Sequence, residues 1–259
     1  MHLSKTDIER FQRDGIVFFP SLLSPTEIET VRSELPIVMT LERPEILREK
    51  HTGQVRCAFA PHTYSDAFHR LMHHPSIVER VRQLLGGEVY LHQFSINPKA
   101  PFEGEAWGWH QDYATWLEEN RMPSSRVINV GVFLDDVTEF NGPLFFVLGS
   151  HTHGAIATSL DDQSTSYALR GIDNGTVAKL SEARELYSPK GPAGSVWMFH
   201  GNIVHASNAN ISPMRRALCT ICYNRTDNLP SEFPRPDWEA HANFAPVEPL
   251  GEGCLARDG

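Results

Sequence analysis

Four cysteines in 259 residues are too few to form a disulfide scaffold. Basic residues are also scarce, 23 against 32 acidic ones, for a net charge of -9. That balance argues against a protein whose main task is gripping phosphate backbones or anionic membranes. No apolar run approaches the ~18 residues of a membrane span. Met1-His2-Leu3-Ser4-Lys5 lacks the basic-then-apolar layout of a secretory signal, so a reducing cytoplasm is the expected setting. Internal repeats, low-complexity tracts and Gly/Ser linkers are missing too, which leaves a single domain over residues 1–259. Neither nucleic acid nor membrane is expected as a partner, and a small molecule is.

The chain changes texture near residue 87. Before it, Ser4-Lys5-Thr6-Asp7 and Ser24-Pro25-Thr26-Glu27 are helix-start signals, each with a hydroxyl and a carboxylate three apart. The first helix should run to about Arg13 and stop at Gly15, with Ile16–Phe19 a short buried strand after it. Ile28, Val31 and Leu35 continue the second at helical spacing, and Pro75–Leu85 is a third, closed by Gly86-Gly87. Beyond lies a β-rich stretch, about 88–226. Val89, Leu91 and Phe94 open it, and Val127–Leu134, Leu144–Leu148, Val196–Phe199 and Ala217–Tyr223 follow as Val-, Ile- and Phe-rich runs. Short strands at these intervals predict a sandwich or barrel rather than βαβ units. Thr158–Ala183, polar and poorly periodic, reads as a long loop of the kind that covers a site. The proline-bearing tail, 227–259, reads as an irregular wrap. Cys219 and Cys222 have the C-x-x-C spacing but sit inside an apolar run with no second pair, so they read as strand residues.

Histidine is the informative residue type. His69, His73 and His74 fall in a polar helical segment and read as solvated; His151, His153 and His200 read as structural. His110 and His205 stand apart because of their neighbours. In Trp107-Gly108-Trp109-His110-Gln111-Asp112, a His-x-Asp spacing on an extended segment puts both side chains on one face. His205 comes about 95 residues later, with Ser207 two positions on and Arg216 eleven on. Two histidines and a carboxylate on one face of Fe(II) leave the opposite positions open, as in the non-haem iron oxygenases. A downstream arginine on a neighbouring strand can hold a carboxylate as a two-point fork.

With Trp109-His110-Gln111-Asp112, Asn141-Gly142-Pro143-Leu144, Gly149-Ser150-His151, His205-Ala206-Ser207-Asn208 and Arg215-Arg216-Ala217, the chain resembles the phytanoyl-CoA dioxygenase family of Fe(II)/2-oxoglutarate-dependent oxygenases. The likeness spans roughly residues 5–226 and is nearest to bacterial hydroxylases of free amino acids (leucine type) and of ectoine. It implies a mainly β fold with flanking helices around a double-stranded β-helix (jelly-roll, cupin-like) core. It implies that His110, Asp112 and His205 bind Fe(II) and carry catalysis, and that Arg216, assisted by Ser207, pairs with the distal carboxylate of 2-oxoglutarate. Arg215 is the alternative, since a slip of one residue on a strand reverses the face. Gln93 and Asn97 join the expected 2-oxoglutarate site. Many relatives have a lysine near Asn97; here Lys99 lies two positions later.

The resemblance further implies hydroxylation of an unactivated C–H bond in a small zwitterion, with O2 consumed, succinate and CO2 released, and ascorbate as the reductant in vitro. Asp112 favours hydroxylation over halogenation, because related halogenases lack this carboxylate. Arg56 and His62 are candidates for a substrate carboxylate, and Trp116 and Phe133 for an apolar wall. Asp135-Asp136 reads as a solvated strand end. The competing readings are the same oxygenase chemistry (hydroxylation, desaturation or cyclisation) on a larger natural-product intermediate, a CoA thioester substrate, and a jelly-roll binding protein without catalysis. The intact His110, Asp112, His205 and Arg216 argue against the last.

Overall fold

Both N-terminal start signals form complete capping boxes in the structure, a computed structural model describing residues 2–256. Ser4 Oγ accepts from the Asp7 N–H at 3.1 Å, while the Ser4 N–H donates to Asp7 Oδ2 at 3.0 Å. Ser24 and Glu27 repeat the exchange. In chain order the elements are α1 (Lys5–Asp14), β1 (Ile16–Phe19), α2 (Pro25–Arg32), α3 (Leu35–Thr40), β2 (Ile46–Arg48), β3 (Val55–Phe59), α4 (Asp66–Met72) and α5 (Pro75–Leu85). Then come β4 (Val89–Lys99), β5 (Trp107–His110), α6 (Asp112–Asn120), β6 (Val127–Phe133), β7 (Leu144–Val147), β8 (Ser159–Asp161) and β9 (Leu169–Gly171). α7 (Asn174–Glu182), β10 (Leu186–Tyr187), β11 (Val196–His200), β12 (His205–Ser207) and β13 (Arg216–Arg225) complete the order. Gly15 ends α1 in the left-handed region, at φ 79°, where a glycine costs least.

The strands form two antiparallel sheets in a jelly roll. The larger runs β1-β11-β6-β13-β4-β3-β2, and the smaller β10-β7-β12-β5-β9-β8. Alternation along β13 sorts its side chains between two environments. Cys219, Ile221 and Tyr223 face the helices, packing with Val31, Leu35, Phe68 and Val81. Leu218 faces the smaller sheet, in a cluster with Phe133, Phe146, Trp197 and Phe199. The same alternation on β6 sends Ile128, Val130 and Val132 to the helical side. Cys219 and Cys222 are thus buried strand residues on opposite faces, Cys222 packing with Trp116 and Met122. Among the described residues no helix is long and apolar enough to cross a membrane.

Several expectations need correction. Besides the expected Ile16–Phe19 strand, the first 87 residues contain β2 and β3, and all three join the larger sheet. Residues 158–183 are not an unstructured loop but contain the β8–β9 pair and α7, the latter capped by Asp173 accepting from the Thr176 N–H at 3.0 Å. Their periodicity was faint because β8 is wholly exposed and α7 buries only Val177. His74 is buried rather than solvated; it caps α5 and bonds Glu27 Oε1 at 3.0 Å. Asp135 is no solvated strand end either. It is buried, with Arg215 bound to both oxygens at 2.9 Å, while Asp136 is exposed.

Burial holds three histidines far from their ordinary titration range. His62 and His92 are pushed down to about 3 and His200 to about 4, chiefly by loss of solvent. An unfolded chain takes up these protons near pH 6.5, so stability must fall as pH drops below that value. Each group removes up to about 1.4 kcal/mol per pH unit until its own folded value is reached. The urea midpoint should therefore fall between pH 7 and pH 5, and His92→Asn should flatten that slope. A midpoint constant over this range would contradict the burial argument.

Candidate active site

Three donor atoms converge where the smaller sheet meets the start of α6. β12 pairs with β5 so that His205 lies directly opposite His110, with ring centroids 4.1 Å apart. His110 Nδ1 donates to the Gly108 carbonyl at 2.7 Å, and His205 Nδ1 to the Ile203 carbonyl at 3.1 Å. Those bonds fix the tautomers and leave both Nε2 lone pairs for another partner. Asp112 Oδ1 lies 3.3 Å from His110 Nε2, and its Oδ2 lies 3.7 Å from His205 Nε2. Asp112 is not on the strand, as the His-x-Asp spacing suggested, but is the first residue of α6. The intervening Gln111 keeps extended angles (φ -121°, ψ 129°), so the two side chains still share a face. Asn129, on β6 of the other sheet, donates to Asp112 Oδ2 at 2.8 Å.

The three donors all lie within 4.8 Å of one another, the one such cluster among the described residues. Burial would raise the Asp112 carboxyl, but the imidazoles of His205 and His110 outweigh it and hold it below the usual carboxylate range. Burial, then His110, pushes His205 down to about 4, so its imidazole is neutral at physiological pH. A neutral imidazole and an ionised carboxylate are the forms that ligate a metal. Two imidazole nitrogens and one carboxylate oxygen, open on the other side, suit Fe(II).

The cavity above this cluster is lined by residues from both sheets. Arg216, at the start of β13, lines it and is almost wholly buried. Its Nη1 and Nη2 donate to the Asn97 and Gly142 carbonyls at 3.2 and 2.7 Å, and Nε has no partner. Burial pushes it down to about 9, so it remains charged at neutral pH. An unpartnered N–H of a buried guanidinium is a place for a ligand carboxylate. Arg215, one residue away, points instead to Asp135. Gln93, Asn97 and Ser207 also line the cavity, and Asn97 Nδ2 donates to Ser95 and Thr220. Lys99 does not line it; its buried Nζ donates to Ser207 Oγ at 2.9 Å and to the Asn208 carbonyl.

The remaining candidates separate. Trp116 lines the cavity, while Phe133 lies among Ile16, Trp197 and Leu218 in the core between the sheets. Arg56 and His62 are not in the lining. Arg56 is buried against Glu49 and Glu105, and His62 stacks on Phe94 and meets His241 edge-on. In their stead stand Arg235 from the C-terminal tail and Tyr167 from the stretch before β9. Arg235 Nε donates to Glu119 at 2.6 Å and its Nη1 to Glu239 at 2.8 Å. The proline-rich surroundings of Arg235 gave no periodicity from which its position could be inferred.

A jelly roll with a two-histidine, one-carboxylate cluster beside a buried strand arginine defines the class of Fe(II)/2-oxoglutarate-dependent oxygenases. The phytanoyl-CoA dioxygenase family model matches residues 11–218. The chain is 34% identical over 251 residues to the L-proline trans-4-hydroxylase of Streptomyces griseoviridis, covering 93% of this chain and 94% of that one. It is 35% identical over 236 residues to the ectoine dioxygenase of Halomonas elongata, covering 87% and 71%. The crystal structure of EctD from S. alaskensis with 2-oxoglutarate and 5-hydroxyectoine superposes with a TM-score of 0.82 at 30% identity, covering 96% and 86%. The same protein with bound Fe gives 0.83 at 28% identity, covering 96% and 87%. The chain belongs to the phytanoyl-CoA dioxygenase family and is an Fe(II)/2-oxoglutarate-dependent oxygenase.

The donor cluster is open and its members are not part of the apolar core. His110→Ala and Asp112→Ala should each abolish tight Fe(II) binding in anaerobic titration while the thermal midpoint stays within about 5 °C. Wild-type binding by either variant would remove that residue from the ligand set.

Proposed function

We propose that the protein hydroxylates a small zwitterionic amino acid, with His110, Asp112 and His205 holding Fe(II) and Arg216 and Ser207 holding the distal carboxylate of 2-oxoglutarate. The observation that carries this reading is one cavity lined by two guanidiniums, each with an unused N–H. On Arg216 it is Nε. On Arg235 it is Nη2, which makes no hydrogen bond among the described residues, whereas Glu119 takes Nε and Glu239 and Tyr167 take Nη1. Burial would lower Arg235, but Tyr167, Glu119 and Glu239 outweigh it and keep the guanidinium firmly charged. Two carboxylate ligands therefore fit one cavity, the cosubstrate at Arg216 and an amino acid at Arg235.

The rest of the lining suits a compact substrate. Trp107, Trp116, Tyr167 and Phe59 offer aromatic walls, and Thr115 and Thr220 offer hydroxyls. Fe(II), 2-oxoglutarate and O2 together supply the oxidant that converts a C–H bond to C–OH as 2-oxoglutarate leaves as succinate and CO2. The chain's own part is to fix the substrate by its carboxylate, set one C–H bond toward the metal cluster and keep water out. Asn129 keeps the Asp112 carboxylate oriented, and Lys99 orients the Ser207 hydroxyl. The likeness to proteins named for L-proline and ectoine favours a substrate of that size, a cyclic amino acid or a related zwitterion.

Purified protein with Fe(II), 2-oxoglutarate, ascorbate and air should form succinate faster when one such compound is added. L-Proline, pipecolate, ectoine and the remaining proteinogenic amino acids would be supplied singly, and the product should gain one oxygen atom by mass. No stimulation by any of them would refute the substrate class. Arg216→Ala should raise KM for 2-oxoglutarate by about tenfold or more, since a charged fork is lost. Arg215→Ala should leave that KM unchanged and instead cost about 1–2 kcal/mol of stability, reduced by the solvent around Arg215. The reverse pattern would show that the strand register has been misassigned.

A further inference from the structure

Arg56 links two parts of the molecule that no sheet joins. Its guanidinium lies over the Trp107 ring, 4.2 Å from the centroid, and Trp107 lines the cavity. On its other side Nη1 is 3.1 Å from Glu105 Oε2 and 4.0 Å from Glu49 Oε1. The Glu105 carboxylate in turn accepts from the Ser166 N–H at 2.7 Å and the Ser166 Oγ–H at 2.6 Å. Ser166 immediately precedes Tyr167, whose ring packs 5.3 Å from Trp107 and whose hydroxyl donates to Glu239. One connected path therefore runs from Ser166 through Glu105 and Arg56 to the indole wall of the cavity.

We infer that Glu105 and Ser166 form a clasp that positions Tyr167 against the cavity and thereby sets affinity for the small-molecule substrate. Beyond Glu105 the stretch is held by the Lys50 N–H, which donates to Ser166 Oγ at 2.8 Å, by the Tyr167 hydroxyl at Glu239 and Arg235, and by Arg170 at Glu119, while the sheet itself adds little. β9 is tied to β5 by a single register pair, His110 with Gly171, and β8 is wholly exposed. The two halves of the clasp also differ in solvent access. The side chains of Arg56 and Glu49 are each 2% exposed, whereas that of Glu105 is 21% exposed. If Ser166 lifts away, water can replace its two bonds to Glu105 and the exposed one from the Lys50 N–H, and Arg56 keeps its partners. Release therefore strands no buried charge, and re-formation closes Tyr167 over bound substrate. Glu105 and Ser166 are positioning residues, acting through Tyr167 and Trp107 rather than by touching substrate.

The kinetic part of the test rests on the hydroxylase reading; the proteolytic part does not. Ser166→Ala and Glu105→Ala should raise KM for the stimulating amino acid about five- to tenfold, as expected from losing one or two such bonds. In both, kcat should change less than about twofold, and product formed per succinate should fall, because an open cavity lets 2-oxoglutarate turn over without its partner. Chymotryptic cleavage after Tyr167 should quicken several-fold, and Ser166→Thr, which keeps the hydroxyl, should behave as wild type. Ser166→Ala tests the clasp even if Glu105→Ala fails to fold, since Ser166 lies outside the core. Wild-type KM, coupling and cleavage rate in Ser166→Ala would overturn the clasp, as would a failure of Ser166→Thr to preserve them. If no amino acid is hydroxylated, the hydroxylase reading fails and the cleavage rates alone decide the clasp.

Discussion

The cross-strand pairing of His205 with His110 is the constraint on which the site depends. Residues about 95 positions apart become neighbours only if β5 and β12 share one ladder in one register. A slip of a single residue would turn one imidazole to the opposite face. The backbone then does a second task, because the Gly108 and Ile203 carbonyls select the tautomer of each ring. Asp112 arrives from a different element, the first turn of α6, and Asn129 reaches its carboxylate from the other sheet. The donor cluster is therefore pinned by both sheets and one helix, an arrangement suited to holding an open metal site rigid.

The same two-residue period separates the two arginines at the other end of the cavity. Arg215 and Arg216 are adjacent and alike in charge, yet at the start of β13 they meet opposite surroundings. Arg215 neutralises Asp135, which also accepts from the Ala217 N–H at 2.9 Å and thereby caps the start of the strand. Arg216 is left beside the cavity with backbone carbonyls as its partners and its Nε–H unpartnered. A buried cation of this kind is stable only near compensating acceptors, and an anionic ligand would complete the set. Lys99 lies close by, where burial and then Arg216 press its amine well below the usual lysine range, so Arg216 is the cation of this part of the cavity.

Peripheral segments build the other end of the cavity. Arg235 comes from the irregular tail and Tyr167 from the link between β8 and β9, and both meet at Glu239. The sheets thus carry the chemistry common to the class, while the covering segments shape what can enter. Arg56 exemplifies the division: it belongs to the larger sheet but acts through Trp107 and Glu105 on the segment above.

By itself the sequence determined the elements whose signals are local. Capping boxes, the Ile16–Phe19 strand, the apolar runs of the β-rich half and the paired motifs around His110 and His205 all rest on spacings within a few residues. The jelly-roll fold, the donor set and the oxygenase chemistry were implied by the family resemblance that these motifs carry. Tertiary structure alone decided which of two neighbouring arginines faces the cavity. It moved Arg56 from a proposed ligand contact to a buried ion pair, and it brought Arg235 and Tyr167 to the lining. Those outcomes depend on partners distant in the chain, such as Glu105 for Arg56 and Glu119 for Arg235. A charged side chain's place depends on where compensating charge lies in three dimensions, and no periodicity along the chain encodes that.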